Sequence, residues 1–302
     1  MTPITRIATD VGWLPISFVN VYFLGHPGGP WVLVDAGLPG RALQIRRAAE
    51  ARFGSESRPE AIILTHGHFD HAGSAWELAD YWDVPIYAHP LELPYLTGVS
   101  SYPPPDPTIG GAIAFLSRFM PSRAFDFSGR VLPLETGEIP FLPGWESLST
   151  TGHAPGHISL FRPEDAVLLA GDAFATMDMD SWVGLISARQ SLARGGAPFN
   201  HDWEATWQSV RKLAALRPSV AACGHGIPIC DTNLPARLER FVGRFRAPSG
   251  GRYVQQPAVT DRNGIVSLPP PPFDPVPIAT AAGMFTVGLL LGTGYLQGDG
   301  RK

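Results

Sequence analysis

Residues 65–73 read THGHFDHAG and follow directly on the apolar run AIIL at 61–64. The chain has nine histidines, and three of them (His66, His68 and His71) fall within this stretch together with Asp70. The apolar run reads as a short buried strand, and the segment after it as a loop leading into a helix over 74–82. In extended chain, residues two apart project to the same side, so His66, His68 and Asp70 can converge, with His71 joining as the chain turns. A rigid strand feeding a turn is a good platform for ligands. Imidazole and carboxylate together suit zinc or a similar first-row ion.

The same context recurs further along. STTGHAPGHISLF (149–161) holds His153 and His157, AVLLAGDAF (166–174) holds Asp172, and SVAACGHGIP (219–228) holds His225. Each apolar run ends in a group able to bind metal, a coincidence that packing alone does not require. Between these motifs the pattern alternates short strands with helices. FVNVYFL (18–24) and WVLVDAG (31–37) read as strands joined by the turn GHPGGP, and 41–53 as a helix with Ala42, Ile45, Ala49 and Phe53 on one face. Strands are expected at 84–89 and near 131–134, 147–151, 158–161, 166–170 and 219–223. Helices are expected at 202–216, with Asp202 as N-cap, and at 234–245. Sheets covered by helices, an α/β layered architecture, fit this order.

Bulk properties exclude several classes. The 302 residues carry 44% hydrophobic side chains, enough for a packed core, and a net charge of −4, which offers no footprint for nucleic acid. Cys223 and Cys230 are too few for a disulfide framework and read as reduced, mostly buried thiols. No N-terminal signal peptide is visible, so the expected location is the cytoplasm. There is no GxSxG elbow and no GxxxxGK phosphate loop.

In order and type, THGHFDHAG, GHAPGHISL, LLAGDA and CGHG resemble the successive metal motifs of the metallo-β-lactamase superfamily, and FVNVYFL…WVLVDAG resembles its opening strands. The resemblance covers roughly residues 3–245. It implies a four-layer αββα sandwich with the site at one sheet edge. It also implies two divalent ions per chain, zinc first, with Mn2+ or Fe2+ as substitutes. By position, His66, His68 and His153 would hold one ion, Asp70, His71 and His225 the other, and Asp172 would bridge them. Asp35 in VDAG would orient a ligating histidine, and His157 would stand behind the ligands. His89 reads as a satisfied buried histidine, and His26 and His201 as surface.

The implied reaction is hydrolysis of an ester, lactone or thioester by a hydroxide held between the ions, with Asp70 as proton shuttle. Asp172 stands where some zinc β-lactamases have a cysteine ligand, which argues against antibiotic hydrolysis. His68 stands where a flavin-partnered di-iron branch has glutamate. The glyoxalase II-like and lactonase-like hydrolases remain, although Ala175 replaces the tyrosine of the lactonases and only two lysines are present. The alternative is a mononuclear iron oxidoreductase like the persulfide dioxygenases, using His66, His153 and Asp172.

Two further segments carry expectations. The Pro- and Gly-rich stretch 94–127, with Tyr95, Leu96, Tyr102, Phe115, Phe119, Phe125 and Phe127, is expected to roof the site and favour a small-molecule substrate with an apolar group. Within it Ile109, Ile113, Leu116 and Met120 would share one helical face. The resemblance implies a catalytic domain over 1–250; after it, 251–275 reads as a hairpin and proline-rich spacer and 276–302 as an apolar tail. Residues 276–296 run without a charge, long enough for a membrane tether. The competing reading is a tail packed on the protein or within a homodimer interface.

Overall fold

The computed structural model describes residues 4–276, and its first seven strands hydrogen-bond in chain order. They are β1 (Thr5–Arg6), β2 (Val11–Ile16), β3 (Val19–Gly25), β4 (Trp31–Val34), β5 (Ile62–Ile63), β6 (Ile86–Ala88) and β7 (Val131–Pro133). Pairing is antiparallel as far as β4 and parallel from β4 to β7. Parallel neighbours need crossovers. These contain α1 (Ala42–Phe53), then α2 (Phe69–Ala72) and α3 (Ala75–Trp82), then α4 (Leu93–Leu96) and α5 (Ala112–Ser117).

The second sheet takes β8 (Gly137–Glu138), β9 (Glu146–Ser149), β10 (Ile158–Arg162) and β11 (Val167–Gly171). The chain then leaves it for a small hairpin, β12 (Ala175–Met177) and β13 (Gln190–Ala193), with α6 (Trp182–Ser187) at its tip. Helix α7 (Trp203–Ala215) leads back to β14 (Val220–Cys223) and β15 (Ile229–Cys230), giving the order β15-β14-β11-β10-β9-β8. Strands β11 and β14 are parallel. Helix α8 (Leu234–Arg244) and a final hairpin, β16 (Val259–Asp261) with β17 (Gly264–Ser267), follow.

Period-two alternation stacks these layers. Val32, Val34, Ile63, Val167, Leu169, Val220 and Ala222 meet in the core between the two sheets. Their strand neighbours Leu33 and Ile62 turn outward onto Ile45, Ala49, Leu78 and Ala79 of α1 and α3. On the other side Leu168, Ala170 and Ala221 meet Val210 and Leu213 of α7 and Leu238 of α8. The result is helix, sheet, sheet, helix: the expected αββα sandwich. Each fully buried aliphatic side chain contributes about 1.5–3 kcal/mol, so these three clusters dominate the stability.

Several local expectations change. Strand β2 was not expected, because Pro15 lies inside it and proline normally argues against a strand interior; here it faces Asn20 in the register. The excursion 175–193 carries no readable periodicity, since β12 spans only Ala175–Met177 and α6 buries none of its residues. His201 is buried rather than on the surface, because the Gly152 carbonyl accepts from both the His201 and Asp202 N–H groups and draws this turn beneath the His153 loop. Cys223 is buried but Cys230 is exposed, both as free thiols.

In the 94–127 stretch, Tyr95, Leu96, Tyr102 and Phe127 are core residues. Phe125 and Phe127 donate backbone hydrogen bonds to the Tyr95 and Leu96 carbonyls, which ties both ends of the segment to the first sheet's layer. Ile109 packs with the α7–α8 core, whereas Ile113 belongs to a separate small cluster with Met177 and Met179.

Residues Met1–Pro269, including the last hairpin, form one compact unit, and Pro270–Lys302 a second. Of the latter, Val276 N–H donates to Asp274 Oδ1 at 3.1 Å. Of the apolar segment 276–296, everything after Val276 lies outside the described residues. Among the described residues, no helix is long and apolar enough to cross a membrane.

Candidate metal centre

The parallel strands deliver the site. Asp35 follows β4, Thr65 and His66 follow β5, Asp172 follows β11, and Gly224 and His225 follow β14. Two parallel pairs, β4–β5 in the first sheet and β11–β14 in the second, bring their next residues together at one end of the sandwich. Helix α2 then turns Asp70 and His71 into the same space, and the loop before β10 supplies His153.

Three groups of ligand-type atoms form there, each with its members within 4.8 Å of one another: His66, His68 and His153; His66, His71 and Asp172; and Asp70, His71 and His225. The first and third are the two trios expected from sequence. Asp172 Oδ2 lies between them, 3.5 Å from His71 Nε2, 3.5 Å from His153 Nε2 and 3.1 Å from His225 Nε2. His68 Nδ1 and His153 Nε2 approach to 3.0 Å. Asp70 Oδ2 is 3.5 Å from His225 Nε2 and 4.0 Å from His71 Nε2.

The donor set fits divalent ions. His66 Nε2, His71 Nε2 and Asp172 Oδ1 are buried and have no hydrogen-bond partner. Leaving such groups unpaired costs about 1–3 kcal/mol each, so three of them converging on one spot is the pattern of ligands, not of packing.

Neighbours fix the orientation of each ring. Asp35 Oδ2 accepts from His71 Nδ1 at 2.8 Å while Asp35 Oδ1 accepts from Thr65 N–H at 2.8 Å, so the lone pair of His71 Nε2 points into the site. His225 Nδ1 donates to the Phe18 carbonyl at 2.7 Å, and His153 Nδ1 to Asn200 Oδ1 at 3.0 Å. His157 is engaged at both nitrogens: Nε2 accepts from Asp172 N–H at 2.8 Å, and Nδ1 faces Thr150 Oγ1 at 2.8 Å. Its ring therefore positions the Asp172 backbone and stays out of the cluster, with burial lowering its pKa to about 3.

Electrostatics follow the same division. Burial would lower His71 and His225, but Asp172 outweighs it with help from Asp35 and Asp70, and both imidazoles end above their ordinary value. Burial would raise Asp172, yet His225 and His71 hold it well below the usual carboxylate range. Burial pushes His66 and His68 down, reinforced by the neighbouring imidazoles.

Two supporting residues were not anticipated. Asn200 orients His153 from the turn before α7. Glu92, fully buried, accepts from Gly67 N–H at 2.9 Å and Gly156 N–H at 2.6 Å, and from the Tyr102 hydroxyl. It thereby ties the loop carrying His66 and His68 to the loop carrying His153. Its signal in the sequence is a single carboxylate inside the apolar run HPLELPYL; for Asn200, it is a polar side chain placed just before a helix whose cap is already Asp202. Outside the site, His89 is half-buried and caps a short turn at Leu91 N–H, and His26 is exposed.

Residues 14–225 match the family model described as the metallo-β-lactamase superfamily. The chain belongs to that superfamily. It is 41% identical over 255 residues, 80% of this chain and 97% of the relative, to the probable metallo-hydrolase YflN of Bacillus subtilis. It is 29% identical over 169 residues, 55% of this chain and 68% of the relative, to the hydroxyacylglutathione hydrolase GloC of Haemophilus influenzae. The solved structure of the B3 metallo-β-lactamase BLEG-1 superposes with a TM-score of 0.52 at 22% identity, covering 80% of this chain and 100% of that one, a likeness of fold.

Proposed function

We propose that this member of the superfamily is a metal-dependent hydrolase of an ester, lactone or thioester, working with two divalent ions, zinc in the first instance. The reading rests on one observation above the rest: two histidine-rich trios flank a single buried carboxylate, Asp172, which touches both. The metallo-hydrolase and hydroxyacylglutathione hydrolase names of the relatives support the same class. When bound, such ions supply a water of lowered pKa as nucleophile and a Lewis acid for the carbonyl oxygen.

The chain's own residues do the rest. Asp172 holds the two trios at fixed separation, and Asp35, Asn200 and the Phe18 carbonyl keep three ligating rings in one tautomer. Asp70 lines the cavity beside the cluster, where its carboxylate takes the nucleophile's proton and passes it to the leaving oxygen or sulfur.

Chelation to a metal-free state should abolish hydrolysis of a simple phenyl ester, and returning zinc or manganese should restore it. Asp70→Asn, which keeps an oxygen for the ion, should lower kcat about 10²-fold or more while retaining metal. Hydrolysis that survives complete metal removal would overturn the reading.

A further inference from the structure

A cavity of about 230 Å3 opens directly on the cluster, between His68, Asp70, His153, Asp172 and His225 on one side and an apolar wall on the other. The wall comes from segments outside the two large sheets. Ile113, Leu116 and Met120 come from α5 and its C-terminal end, Met179 from the turn after β12, and Leu185 from α6. Phe18 and Phe199 close the flanks; Phe18 stacks on His225 with centroids 6.0 Å apart.

Among the described residues, every polar one in the lining belongs to the metal cluster, and no lysine or arginine lines the cavity. Two guanidinium groups on the neighbouring segments are turned to other partners. Arg118 donates to the Ala114, Phe115 and Pro107 carbonyls, and Arg194 is paired with Asp180. Lys212 donates to the Ser149 carbonyl.

We infer that this cavity selects an uncharged substrate with a short aliphatic acyl chain, and that it discriminates against thioesters of glutathione. The inference rests on the hydrolase reading for the chemistry, but on the cavity alone for the selection. Two physical arguments carry it. A glutathione carrier brings two carboxylates that lie away from the reacting group and its ions, against an apolar wall with no cation among the described residues, and a carboxylate desolvated there without a partner is strongly disfavoured. An aliphatic chain gains instead: each methylene that enters the apolar cavity raises affinity roughly fourfold. The volume then sets a limit. At about 30 Å3 for one water's share of liquid, the space holds on the order of seven or eight such units, below the roughly 300 Å3 at which typical ligand pockets begin. Chains of about four to eight carbons fill it, against a wall that includes Met120 and Leu185.

The test uses the full-length, metal-loaded protein and two readouts. Calorimetric binding of straight-chain primary amides from acetamide to dodecanamide should strengthen with length to an optimum near six carbons and then fall. The kcat/KM for p-nitrophenyl esters should follow the same profile. A thioester of a neutral thiol should be cleaved at least 10-fold faster, in kcat/KM, than the glutathione thioester of the same acyl group. Met120→Trp should move the binding optimum to shorter chains and Met120→Ala to longer ones, and these opposite shifts separate a size limit from a folding defect. A length optimum in binding without turnover of any ester would support the cavity inference while sinking the hydrolase reading. Binding that is flat with length, or a preference for the glutathione thioester, would overturn the inference.

Discussion

Asp172 and the two histidines of the GHAPGH motif define the site at the residue scale. Asp172→Ala should lose at least one metal equivalent and nearly all turnover while the sheets stay folded, since no core contact is removed; metal analysis and circular dichroism on one preparation read both. His153→Ala removes a ring that faces the cluster and should lower metal content likewise. His157→Ala removes the acceptor of the Asp172 N–H instead, leaving a buried donor unpaired at a cost of about 1–3 kcal/mol. It should therefore lower the urea midpoint while keeping most of the metal, and a larger metal loss in His157→Ala than in His153→Ala would reverse the assignment. Gly224 is a fourth sensitive position. A Cβ there would run into the Asp172 carboxylate and the His71 ring, so Gly224→Ala should empty the site as effectively as removing a ligand.

At the scale of elements, the loops rather than the strands need bracing, and Glu92 provides it. Its carboxylate collects the Gly67 and Gly156 amides and the Tyr102 hydroxyl, one loop on each side. Gln keeps the shape but replaces one acceptor oxygen with a donor, so an amide N–H must face another N–H. Glu92→Gln should weaken metal affinity about 10–100-fold in chelator competition, the range usual for groups behind the ligands; unchanged affinity would show that the brace is dispensable. The elements legible in the sequence were those with strong periodicity. Helix α7 announced itself through Asp202, whose side chain accepts from Ala205 N–H at 2.9 Å, and through the buried Val210 and Leu213. The β12–α6–β13 excursion was not legible. Its strands are three and four residues long and its helix leaves Val183 and Ile186 exposed, so neither a period of two nor one of 3.6 develops. It nonetheless brings Met179 and Leu185 to the cavity wall.

At the scale of the molecule, the ligand motifs were readable because each sits just past an apolar run, and the fold converts sequence order into adjacency by ending β5, β11 and β14 near one another. What no local pattern encodes is the long-range support. Asn200 meets His153 across 47 positions, and Glu92 meets Gly156 across 64. In the stretch 94–127, where an aromatic roof was expected, Tyr95, Tyr102 and Phe127 serve the core, Phe115 and Phe119 are exposed, and Ile113, Leu116 and Met120 line the cavity. Since the whole cluster lies within Met1–Pro269, a chain ending at Pro269 should keep the metal and turnover of the full chain. Loss of either would assign a catalytic role to the tail.

The central claim is a dinuclear centre, and the metal content of freshly purified full-length protein, measured by plasma mass spectrometry against quantified chain, tests it most directly. Two equivalents of zinc or manganese per chain, falling to one or none in Asp172→Ala, are the predicted result. One equivalent of iron that saturates the site, with oxygen uptake on addition of a persulfide, would contradict it.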